Sequence, residues 1–136
     1  MTGGSVASRR TVGERAAVPM GVALVVIGAV HFASPGFFDE IVPPWLPPSE
    51  RFWTLASGVA EVLVGIALLV PRTRRRAGWA AAALFVAVYP GNLYMVWDWR
   101  DRAWTEQAVA WIRLPFQFPL IWLALRIARD PSPQPR

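Results

Sequence analysis

At 136 residues, with 54% apolar content and no cysteine, the chain has room for one compact domain. Disulfide scaffolds, thiol redox chemistry, iron–sulfur clusters and thiolate metal sites are excluded. All 14 basic residues are arginine and the net charge is +5; they flank apolar segments and form no basic face, which points to a membrane surface and away from nucleic acid.

Residues 1–16 are rich in Gly, Ser, Thr and Arg and read as a flexible cytoplasmic tail. The first predicted span covers about residues 17–33, with Pro19 in its first turn. No small-residue cleavage site follows it, so it reads as a retained span rather than a signal peptide. Residues 34–51 hold five of the 13 prolines together with Phe37, Phe38, Ile41, Val42, Trp45 and Leu46. A loop so apolar is expected to lie in the membrane interface or fold over the mouth of a bundle. Ser34 and Ser49 are the expected N-caps on either side of it.

The second span, about 52–70, carries Glu61 near its middle. Thr54, Ser57, Gly58, Glu61 and Gly65 fall at steps of three and four, so they share one helix face. A carboxylate in hydrocarbon costs several kcal/mol unless it is neutral, hydrated or paired, so this face should turn inward. Pro71 and the short turn Arg72–Arg76 force the second and third spans to be antiparallel neighbours. The third span covers about 77–97, with a kink or loosening expected at Pro90 and Gly91. The fourth covers about 108–127, and residues 129–136 read as a disordered tail.

Four spans give an all-α integral membrane protein, a four-helix antiparallel bundle. The two termini and the 72–76 turn carry ten arginines and two acids; the other side carries three arginines and six acids. That asymmetry implies N-in/C-in. Six of the eight tryptophans, Trp99 among them, fall near the outer boundary as an aromatic belt.

Glu61 lies eight residues past Trp53, ~12 Å deep at 1.5 Å per residue. His31, Asn92, Arg113 and Gln117 fall at similar depth on the other three spans. Five polar residues from four helices thus converge on one layer. Arg113 keeps its charge, so it needs an anion, and Glu61 is its expected counter-ion. Haem ligation by His31 would need a second axial group at that depth, and a metal held by His31 and Glu61 lacks a third ligand. No metal site is expected.

His31-Phe with Pro35, Ile41-Val-Pro-Pro-Trp-Leu-Pro47, Ser57-Gly-Val-Ala-Glu61-Val-Leu-Val-Gly65, Tyr89-Pro-Gly-Asn92 and Arg113-Leu-Pro-Phe-Gln117 follow one another in an order that resembles the DoxX-like family of small bacterial membrane proteins. The resemblance covers about residues 17–128. It implies a four-helix bundle in the bacterial cytoplasmic membrane, and what it carries over by position is the polar set His31, Glu61, Asn92, Arg113 and Gln117; Ser57 and Tyr89 are secondary candidates. Some members are linked to quinone-coupled sulfur oxidation or to membrane oxidoreductase complexes. The expectation is an accessory protein, not an enzyme as an isolated chain. Its outer-half pocket would take a quinone or small amphiphile beside an oxidoreductase partner or a second copy of the chain. The alternative is a structural subunit or assembly factor whose polar network fixes helix packing.

Overall fold

The structure, a computed structural model, describes residues 9–136. The described residues are all-helical: α1 (Val12–Ala33), α2 (Pro35–Asp39), α3 (Glu50–Leu69), α4 (Arg74–Asp98) and α5 (Trp104–Ala128), with a 3₁₀ turn over Trp99–Asp101 and no strand. α1, α3, α4 and α5 are long and apolar enough to cross a membrane. Leu63, Ile112, Phe116 and Phe118 are each more than 60% exposed, as apolar side chains are where the medium is hydrocarbon.

Local chemistry sets the helix starts, and it moves several of them. The Thr11 hydroxyl accepts the Glu14 N–H while the Glu14 carboxylate accepts the Thr11 N–H at 2.9 Å, a reciprocal capping box. α1 therefore begins at Val12, five residues before the predicted span. Pro19 falls in its second turn, not its first. The tail expected to reach residue 16 stops at Thr11, and residues 1–8 of it lie outside the described residues.

The start of the C-terminal segment, expected to be disordered over 129–136, is tied down in the same place. Asp130 is buried, accepts from the Thr11 hydroxyl, and takes the Ser132 N–H at 2.8 Å. Burial works against its charged form, but the Thr11 and Ser132 bonds outweigh that and hold the carboxyl below its usual range.

Ser49 caps α3 through the Phe52 N–H at 3.2 Å, whereas Ser34 precedes α2 without a side-chain bond. In the arginine turn, the Thr73 hydroxyl donates to the Ala67 carbonyl at 2.7 Å and the Arg74 guanidinium to the Leu68 carbonyl at 2.9 Å. These bonds satisfy the last carbonyls of α3. α4 starts at Arg74, three residues early, and runs through Pro90 and Gly91. α5 likewise runs through Pro115 and Pro119.

The most extensive contacts are α1 on α3 and α4 on α5; lesser contacts of α3 with α4 and α1 with α5 complete the ring. α3 and α5 share no extensive contact. Gly21 faces Gly65 and Gly28 faces Gly58. A Cβ on Gly65 would sit 2.7 Å from the Gly21 carbonyl, and one on Gly28 would sit 2.8 Å from the Gly58 carbonyl. Only glycine lets these two backbones touch.

Packing differs along the molecule. Where the chain termini meet the 70–73 turn, Ala17, Ala77, Ala81, Ala82 and Ala124 pack with Leu24, Leu68, Phe85 and Ile127 in one closed core. At the other end a small core holds Ile41, Met95, Trp99 and Ala110. Trp99, predicted for the aromatic belt, is buried there because the 3₁₀ turn folds it inward, with the Arg102 guanidinium 4.4 Å above its ring.

Candidate functional site

Towards the loop end of the molecule lies a cavity of about 240 Å³, lined by residues from all five helices. Thr54, Ser57 and Glu61 enter it from α3 because their spacing puts them on one face. His31 enters from the last turn of α1. The glycine seam brings it close to α3: a Cβ on Gly58 would lie 2.8 Å from the His31 Cβ.

His31 Nδ1 stands 3.1 Å from Glu61 Oε2 and 2.8 Å from the Ile27 carbonyl one turn back. The one hydrogen on Nδ1 cannot serve both. Donated to Ile27, it leaves Glu61 Oε2 buried without a donor. The imidazole is fixed from its other face by the Phe38 ring, stacked 3.6 Å away between centroids at 19°.

Arg113 contributes from α5. Its Nη1 lies 3.7 Å from the Met95 sulfur, and it makes no ion pair among the described residues. The expected Glu61–Arg113 pair is thus not a direct contact; the two charges face the same cavity and act on each other across it. α3 and α5 stand across the ring from each other and the cavity lies between them, so the partner actually beside Glu61 is His31.

Asn92 also lines the cavity, and its amide donates to Gln117 Oε1 at 3.4 Å. Gln117 itself stands behind that wall and donates to the Phe85 carbonyl at 2.7 Å. The Phe85 carbonyl has a second lone pair available for this bond beside its helical one. Ser57 lines the cavity with its hydroxyl donated to the Thr54 carbonyl at 3.3 Å. Tyr89 stands apart, its ring 5.9 Å from that of Phe118.

Of the lining residues outside the candidate set, Thr54 and Phe38 stand beside the polar groups. Thr54, 1% exposed with its hydroxyl turned towards the Asp39 carboxylate, belongs to the α3 polar stripe and was findable by its spacing from Ser57 and Glu61. Phe38 had no signal, because its place against His31 depends on how the loop folds back. Phe38, Ile41, Val42, Pro43 and Leu46 roof the cavity. Consecutive acids tie that roof to both sides: Asp39 to Arg51 at 2.8 Å and Glu40 to Arg102 at 3.0 Å. The Arg51 guanidinium holds the Asp39 carboxyl below its usual range.

Fold and site together define a small helical membrane protein with one packed end and one hollow end. Residues 20–128 match the model of a family described as Domain of unknown function (DUF8561), and the chain belongs to that family. No curated protein and no solved structure matches it.

The cavity offers a carboxyl group, an imidazole and a guanidinium around apolar walls. Among the described residues no three His, Cys, Asp or Glu side chains gather as a metal site. The chemistry on offer is recognition of a mostly apolar molecule with one polar head that both donates and accepts hydrogen bonds.

Proposed function

We propose that the protein is an accessory subunit of the bacterial cytoplasmic membrane, its four long helices forming an antiparallel bundle with both termini in the cytoplasm. Its cavity, open towards the outside, binds the head of a quinone or similar small amphiphile. The arginine asymmetry supports the orientation, and the motif order supports the DoxX-like relationship.

One observation carries the binding reading: Glu61 keeps a buried, unbonded oxygen and Arg113 lacks an acid partner, and both face the same cavity. The reduced, quinol form of such a head group, with hydroxyls that accept from Arg113 and donate to Glu61, satisfies both; the oxidised carbonyl form satisfies Arg113 alone. With no thiol and a single histidine, the chain hands any electrons to a partner, so the reading includes an oxidoreductase complex or a second copy of the chain beside it.

A structural role for part of the polar layer has its own support. The Asn92–Gln117–Phe85 hydrogen bonds join α4 to α5 without reaching Glu61. Native mass spectrometry of wild type, Glu61→Gln and Arg113→Ala separates the two readings. Binding predicts a co-purified amphiphile on wild type that both folded variants lose. Unfolding of both variants, with no ligand on wild type, would sink it.

A further inference from the structure

The packed end carries a second feature, independent of whether the cavity is filled. Arg72, from the turn, and Arg75, Arg76 and Trp79, from the first turns of α4, line a cleft of about 460 Å³ that Ala128 of α5 and Gln134 of the C-terminal segment close. Arg129 adds a fourth guanidinium, 5.5 Å over the Trp79 ring. Trp79 is 52% exposed.

None of these arginines has an acid. Arg72, Arg75, Arg76 and Arg129 make no ion pair among the described residues. The two acids at this end are engaged elsewhere, Glu14 in the α1 cap and Asp130 with Thr11 and Ser132. Arg74 differs from its neighbours because its guanidinium closes the end of α3. Unneutralised guanidinium groups around a concave cleft match the oxygens of a phosphate ester, which arginine grips with two parallel bonds. An exposed indole next to them, at the end of an apolar helix, is the residue that sits at head-group level in a bilayer.

From this geometry we infer that the Arg72/Arg75/Arg76 cleft, with Arg129 beside it over Trp79, is a binding site for the phosphate of an anionic phospholipid, with Trp79 packing beside its glycerol. A free phosphate ion offers the same oxygens but nothing for the indole to pack on. The lipid is therefore the assigned occupant.

The test uses the full-length protein, delipidated and then exposed to equal amounts of phosphatidylglycerol and phosphatidylcholine of matched chains, with retained lipid read by native mass spectrometry. Wild type should retain phosphatidylglycerol at least about tenfold better, since each basic contact at a membrane surface is worth roughly fivefold. Arg75→Gln/Arg76→Gln should abolish that preference, and Trp79→Ala, which keeps every charge, should lower retention. Arg9→Gln/Arg10→Gln removes the same charge outside the cleft and should leave the preference intact. Arg75 and Arg76 are exposed and unpaired, so their replacement leaves the fold alone. Equal retention of the two lipids, or equal loss from both arginine pairs, would overturn the proposal. Displacement of the lipid by millimolar inorganic phosphate would overturn the lipid as occupant.

Discussion

The two ends of this protein use opposite solutions to the same problem of holding helices together in an apolar medium. At the terminal end, five alanines and a few large side chains fill the space between the helices, with the arginine-lined cleft on the outside, and Leu68, Ala81, Ala124 and Ile127 are fully buried. Lipid tails are as apolar as leucine, so what holds this end is close van der Waals fit. At the loop end the same helices enclose a cavity of about 240 Å³, with polar side chains facing it and a buried Glu61 oxygen lacking a donor. Unsatisfied buried polar groups destabilise. The polar layer at the loop end is therefore the part of the molecule where the proposed binding role and stability pull in opposite directions.

The contrast can be broken first at the packed end. Leu68→Ala should cost about 2 kcal/mol, the low end for a buried leucine because lipid already solvates it in the unpacked state. Ala124→Leu should cost about 1–3 kcal/mol through overpacking. Thermal unfolding in detergent reads both, and ligand retention should survive in whatever fraction stays folded.

The terminal latch comes next in size. Asp130→Asn should cost about 1 kcal/mol at neutral pH, as expected for one lost hydrogen-bonded group. The folded carboxyl lies below its ordinary range. Its contribution is therefore complete above about pH 4 and lost as pH falls through the depressed folded value. Melting curves of wild type and variant should differ at pH 7 and converge in acid; a constant gap at all pH values would contradict the latch.

At the hollow end the effect on stability should be smallest. Ser57→Val adds apolar volume where there is room, so the melting temperature should hold or rise slightly while ligand retention falls. A drop as large as that of Ala124→Leu would mean the cavity is not free space.

Much of the fold was legible in the sequence, because apolar length alone marks four helices. Helix starts were less so. Hydropathy began α1 at residue 17, while Thr11-x-x-Glu14, a readable capping box, begins it at Val12. The convergence of His31, Glu61, Asn92 and Arg113 on one cavity was readable from depth along each helix. Which of them touch was not. Depth carries no information about which helix stands beside which, and Glu61 was given to Arg113 because opposite charges attract. The glycine seam of α1 and α3 puts His31 next to Glu61 instead, and the ring order puts Arg113 across the cavity. Trp99 failed for a related reason: a tryptophan at a helix end looks like a belt residue until the following turn folds it inward.

Glu61→Met gives the most direct test of the claim that the polar layer serves binding. Methionine nearly matches glutamate in volume and removes the buried, unbonded oxygen, so the fold should gain or keep stability. Melting temperature and retained amphiphile are measured on the same sample. A melting temperature equal to or above wild type, with the amphiphile lost, is the predicted result. A fall as large as that of Leu68→Ala would contradict it and make Glu61 part of what holds the helices together.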